Sequence, residues 1–153
     1  MKIKTDWIIK YLPICQLDDL CGKFNWFPGD LTEFDRNSIK QDGILLPLLV
    51  QQVENSKYRL IDGFKRLSWL KYFHVKSFNN FQQEQLPCLI IPAFVSLRDV
   101  ANIRLETLSA DQNSFSGIHL CKVLNMLSEE GFSKNEIACK VFPSLGLISS
   151  VRL

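Results

Sequence analysis

The 153-residue sequence has no cysteine pair at C-x-x-C spacing, no long apolar run and almost no excess of one charge sign. Each absence narrows the field. The five cysteines, Cys15, Cys21, Cys88, Cys121 and Cys139, are an odd number without redox-motif spacing, so free thiols in a reducing compartment fit better than a disulfide scaffold. The longest apolar runs, Ile44 to Val50 and Leu89 to Val95, contain Pro47 and Pro92 and fall far short of the ~20 residues needed to span a bilayer. Met1 to Leu12 has neither the length nor the flanks of a signal peptide. These features lead to an expectation of a cytoplasmic chain with no membrane segment. A formal net charge of +2 is too weak a field to attract nucleic acid, so any such binding must come from local clustering.

What is present is an ordinary globular composition, 46% hydrophobic and 22% charged, in a chain long enough for one substantial core and a small appendage. A strand is expected through Trp7, Ile8 and Ile9, then a loop rich in aromatics from Phe24 to Gly29. Asp30 and Glu33 offer a capping pair for a helix over 31–42, with Leu31, Phe34 and Ile39 at near-helical spacing and Gly43 to end it. Leu45 to Val53 reads as a strand whose Pro47 belongs near a sheet edge or a bulge. After the polar turn Glu54-Asn55-Ser56-Lys57, Tyr58 to Ile61 completes a hairpin, and Phe64, Leu67, Leu70 and Phe73 mark an amphipathic helix. Leu86 to Pro92 supplies a further strand.

Beyond Ala93 the pattern becomes helical. Ser96 and Asp99 cap a helix whose Leu97, Val100, Ala101, Leu105 and Leu108 form one face; Asp111 to Ser114 breaks the chain; and Phe115 to Glu130 carries Ile118, Cys121, Leu124 and Leu127 on one stripe. Gly131 stops that helix, and Ser133 with Glu136 forms a capping box for a third over 137–142. Pro143 and the end at Leu153 leave no room for a full recognition helix, so the chain reads as truncated. The expected fold is therefore α+β: a small mixed sheet with flanking helices over 1–95, followed by a helical segment over 96–153.

The stretch with the most chemistry is Asp62-Gly63-Phe64-Lys65-Arg66, where a strand gives way directly to a helix. A helix N-terminus carries about half a positive charge, glycine admits close approach of an anion, and Lys65 and Arg66 would add charge-assisted hydrogen bonds. The plainer reading is that Asp62 caps the helix and both cations are solvated.

The order Ser38-Ile39-Lys40, Gly43-Ile44, Pro47 to Val50, Tyr58 to Arg66 and Leu86 to Ile91 resembles the ParB/sulfiredoxin superfamily, and within it the ParB N-terminal (ParB-like nuclease) domain. That family opens its helix with a Gly-Glu-Arg-Arg box; Gly63 and Arg66 match it, Lys65 keeps the charge and Phe64 replaces the glutamate. The resemblance implies a nucleoside triphosphate ligand, CTP with Mg²⁺, held at Asp62, Gly63, Lys65 and Arg66. It also implies DNA as a further partner through a truncated helix-turn-helix segment, and it allows a homodimer. The family's Glu-Asn-x-x-Arg motif falls on Glu106 to Ala110, so Glu106 is the candidate metal contact, while Thr107 and Ala110 replace the Asn and the Arg. Little or no turnover is expected with those two groups missing.

The alternative is a superfamily enzyme. Free-serine kinases carry Asp-Gly-His-His-Arg, to which Asp62, Gly63 and Arg66 correspond, with Asp62 as base or metal ligand; a nucleotide hydrolase is the related option. Sulfiredoxin's reactive cysteine would fall at Phe64, which excludes that chemistry at the motif position. His74 and His119 lack neighbours at ligand spacing and read as ordinary surface or helix histidines, whereas at least two of Trp69, Tyr72 and Phe73 read as core before they read as base-stacking residues. Lys57, Arg59, Lys65, Arg66, Lys71 and Lys76 form the densest basic region, diluted by Glu54 and Asp62.

Overall fold

The computed structural model describes residues 7–18, 22–26, 30–77, 85–108 and 117–141. The chain divides into two compact units, residues 2–94 and residues 95–153. The first holds a five-stranded mixed sheet: β1 (Ile8–Pro13), β2 (Leu17–Asp18), β3 (Leu48–Glu54), β4 (Lys57–Asp62) and β5 (Gln85–Ile91), in spatial order β1-β5-β3-β4-β2. Two helices, α1 (Glu33–Asp42) and α2 (Phe64–Ser77), accompany it. The expected α+β class is the one observed.

The sheet is built around β3. That strand pairs antiparallel with β4 across the Glu54–Lys57 hairpin and parallel with β5, where Leu48 lies opposite Cys88 and Val50 opposite Ile90. A strand flanked on both sides reads as a continuous apolar run, and Leu48, Leu49, Val50 and even Gln51 are all buried. Pro47 therefore precedes a central strand and not an edge strand; it is tolerated because it stands one residue before the ladder begins, close to the register shift at Leu49 and Val50. One sheet edge is β1, which pairs only with β5 among the described residues and leaves Ile8, Ile9 and Tyr11 exposed, and the other is the two-residue β2.

Local differences from the sequence reading have identifiable causes. The helix α1 is capped by Thr32, whose hydroxyl accepts from the Asp35 amide at 3.2 Å, and not by Asp30, which instead pairs with Arg36 at 3.7 Å. Phe34 is 82% exposed and α1 buries no residue, so its apolar spacing does not mark a core face. Conversely, Phe24 and Trp26, expected in a loop, are core residues: Phe24 is fully buried, its ring 6.1 Å from that of Trp26, whose indole N–H donates to the Lys23 carbonyl at 3.0 Å. Residues 27–29 lie outside the described residues.

The second unit contains α3 (Leu97–Leu108), α4 (Gly117–Glu129), the single turn α5 (Lys134–Glu136) and a π-helical stretch, Ile137–Val141. Val100, Ala101 and Leu105 form the buried face of α3, as their spacing implies. On α4 the buried residues are Val123, Met126 and Leu127, whereas Ile118 is 71% exposed and Cys121 is exposed. Apolar residues surround most of that helix, so packing partners and not periodicity select the stripe. Gly131, at φ +82°, ends the turn after α4, and Ser133 and Glu136 make the expected reciprocal capping box. The expected third helix over 137–142 is instead this α5 turn running into the π-helical stretch, and residues after 141 lie outside the described set.

Arg98 fastens this corner. Its guanidinium donates to the Gly131 carbonyl at 2.6 Å, pairs with Glu136 at 2.5 Å and covers the Phe132 ring at 4.8 Å. The Ser133 amide and hydroxyl, aided by Arg98, hold the Glu136 carboxyl below its usual 4.5. A carboxyl depressed in the folded state stabilises above its unfolded pKa, and that contribution disappears as pH falls through the lower folded value. The Glu136 carboxyl carbon is thus expected to titrate below 4.5 in the folded chain. A midpoint at or above that value contradicts the capping geometry.

Candidate phosphate site at the β4–α2 turn

Asp62 ends β4 opposite Leu49, and the next residue but one, Phe64, begins α2. The direct junction demands a backbone that L-residues avoid: Gly63 sits at φ +101°. It is also buried, and a Cβ there would collide with Leu48 Cδ2 and come within 3.2 Å of the Arg66 guanidinium. The face on which a side chain would stand is already filled by Leu48, so packing alone requires the glycine, whatever the turn binds. Phe64 is buried with Leu67 and Leu70 and pins the first turn of α2 to the core. This accounts for the apolar residue where the resemblance would place a glutamate or a cysteine.

Lys65 and Arg66 are both half-buried, as is Asp62. Arg66 does not extend into solvent: one of its terminal nitrogens donates to the backbone carbonyl of Leu46, in the exposed loop between α1 and β3. The four residues Asp62, Gly63, Lys65 and Arg66 are thus brought together at one bend, with a guanidinium folded over the glycine. The Leu46 carbonyl and the Leu48 side chain are parts of this site that the sequence did not disclose, because no motif signals which loop an arginine will reach.

Beneath the turn, Cys88 on β5 sits opposite Leu48 and is fully buried. Burial pushes its thiol from 9.0 up to about 12, with the Arg66 guanidinium pulling the other way. Since the folded pKa lies above the unfolded one, the contribution to stability is whole below 9.0 and lost as pH rises toward 12. At about pH 8 a thiol reagent is expected to modify exposed Cys15, Cys121 and Cys139 in the native protein and Cys88 only after unfolding. Native labelling of Cys88 at the rate of the other three contradicts this packing.

Glu106 lies on α3, in the other unit, and is exposed. Its neighbour Thr107 is turned inward, donating to the Arg104 carbonyl at 2.8 Å and accepting from the Arg104 guanidinium at 3.2 Å. Among the described residues no three His, Cys, Asp or Glu side chains cluster as a metal site. One carboxylate is a thin protein donor set, though Mg²⁺ commonly takes only one or two carboxylates and completes its shell with phosphate oxygens and water.

None of Trp69, Tyr72 and Phe73 is fully buried as expected of core residues, and Tyr72 is 58% exposed. Trp69 and Phe73 stack on each other at 5.0 Å, and Lys40 stands over Phe73 at 5.6 Å. Lys57 pairs with Glu54 at 3.9 Å and Arg59 donates to Gln51 at 3.4 Å, so two members of the basic region are already neutralised or bonded. The side chains of His74, Lys76 and His119 lie outside the described residues.

No protein-family profile and no curated protein sequence matches the chain. Solved structures do. The chain is similar to a Pnob8-like ParB-N domain, with a TM-score of 0.56 and 15% identity over 86% of this chain and 49% of that one; it therefore spans about half of that structure. It is also similar, at a TM-score of 0.43 and 15% identity over 90% of this chain and 86% of that one, to a C-terminally truncated chromosome-partitioning protein ParB from Caulobacter crescentus in complex with CTP-γ-S. No helix among the described residues is long and apolar enough to cross a membrane. The mixed sheet, its helices and this similarity together give the chain the fold of a ParB N-terminal domain.

Proposed function

We propose that the chain is a ParB-like binding module that takes the phosphates of a nucleotide at the β4–α2 turn, with little or no turnover. The observation that carries this reading is the placement of two half-buried cations, Lys65 and Arg66, in the first turn of a 14-residue helix that starts directly after a strand. CTP with Mg²⁺ is the ligand that the resemblance favours, with Asp62, Gly63, Lys65 and Arg66 at its phosphates. The absence of an Asn at Thr107 and an Arg at Ala110 favours binding over hydrolysis. DNA is a further partner in this reading, approached through residues 96–153 as the start of a helix-turn-helix region. A homodimer and a cytoplasmic location complete the proposal.

Calorimetry and thermal shift with CTP, ATP and ADP, each with Mg²⁺, test it. A ligand present at about 100 times its Kd adds ~2.7 kcal/mol, which for a chain of this length raises Tm by roughly 5–10 °C. Removing one charge-assisted bond by Lys65→Gln is expected to weaken binding by about 10- to 100-fold. No heat and no shift with any of the three nucleotides would overturn the reading, and phosphate release above background that is lost in Asp62→Asn would favour the enzyme instead. For the DNA part, a gel-shift affinity that falls steeply between about 50 and 200 mM salt is expected. No complex at the lower salt would remove DNA from the proposal.

A further inference from the structure

In the loop between α1 and β3 the Leu46 carbonyl accepts from the Arg66 guanidinium, 20 residues away in sequence, which ties the loop to the β4–α2 turn. The loop itself is lightly packed. Gly43 at φ +73° has nothing within 4 Å of where a side chain would stand, and Leu45 and Leu46 are 69% and 73% exposed. The guanidinium that holds the loop is the same group that the proposed ligand would need, and a phosphate dianion is a far stronger acceptor for it than a neutral peptide carbonyl.

We propose that the Leu46 carbonyl is a built-in competitor for Arg66, so that a phosphate bound at the β4–α2 turn draws the guanidinium away and releases the 43–47 loop with its two exposed leucines. The inference rests on the phosphate-binding reading of this turn. It makes the loop a reporter of occupancy: ordered when the site is empty, mobile when it is filled. Gly43 at one end and Pro47 at the other bound the segment that moves, since the Gly43 N–H closes α1 by donating to the Ile39 carbonyl and Leu48 is fixed in the sheet.

The test is ¹⁵N relaxation on the full chain, following the amides of Ile44, Leu45 and Leu46. In the free protein order parameters near the rigid value of about 0.85 are expected, falling below about 0.6 in Arg66→Ala without any ligand, and falling likewise on saturation of the unaltered chain with CTP and Mg²⁺. Arg66→Lys, which keeps the charge but lacks the planar fork, is expected to loosen the loop in part and guards against a global effect of the alanine. Loop order unchanged in both Arg66 variants overturns the latch. Nucleotide binding seen by calorimetry with the loop still ordered also overturns it while leaving the binding site standing. Absence of nucleotide binding overturns the binding reading, and the ligand-free Arg66 variants then still decide whether the latch exists.

Discussion

Replacing Gly63 by alanine is expected to cost the protein about 3–5 kcal/mol, the sum of backbone strain and forced overpacking. The strain arises because φ at this residue is +101°, and the overpacking because the new methyl meets Leu48 Cδ2, a side chain with no exposed surface to retreat to. For a chain of this length the loss corresponds to a fall in Tm of roughly 10 °C. Gly43→Ala is the matched control. Its φ is +73° and its ψ −164°, a region almost confined to glycine, with nothing near the added methyl, so only the backbone term of roughly 1–3 kcal/mol remains. Most of the difference between the two substitutions reflects crowding at Gly63, by Leu48 first and by the Arg66 guanidinium second. Combining Gly63→Ala with Leu48→Ala should give a sum well short of additive, because the methyl then occupies part of the vacated space. Equal losses at Gly43 and Gly63, measured by denaturant unfolding, would contradict the packing described here.

Phe24→Ala is the second large effect, expected at about 3–5 kcal/mol in the same assay. Phe24 sits outside any helix or strand yet has no exposed surface and packs against Trp26. A loss below about 1 kcal/mol would mean that the 22–26 segment is a surface loop after all.

These two residues also show what a sequence can and cannot announce. Glycine at Gly43, Gly63 and Gly131 was readable because all three end or open a helix, and each does adopt positive φ. The hairpin over Glu54–Lys57 and the box of Ser133 and Glu136 were equally readable, since both are local and depend only on neighbours in the chain. The start of α1 is displaced by two residues: the sequence points to Asp30 as the cap with Glu33, whereas the Thr32 hydroxyl accepts from the Asp35 amide and Asp30 pairs with Arg36. The buried stripe of α4 and the burial of Phe24 depend on what packs against them, which periodicity does not encode.

The site was half legible. Asp62, Gly63, Lys65 and Arg66 stand at a strand-to-helix junction as their order implied, and Phe64 is the core anchor that its apolar character suggested. The glycine's role is heavier than an anion site requires, because Leu48 fills the space beside it. Gly63 variants are therefore poor tests of binding, since they would fail by losing the fold. Lys65 is the better probe: it is half-buried at the helix start, and its replacement leaves the Leu48 packing and the Arg66–Leu46 bond in place.

The proposed function requires the β4–α2 bend to receive phosphate. Backbone amide mapping by NMR during a CTP and Mg²⁺ titration addresses it residue by residue. Saturable shifts centred on Gly63 to Arg66 that shrink in Lys65→Gln are expected; saturable shifts confined to other parts of the chain, or none at all, would rule out phosphate binding at this bend.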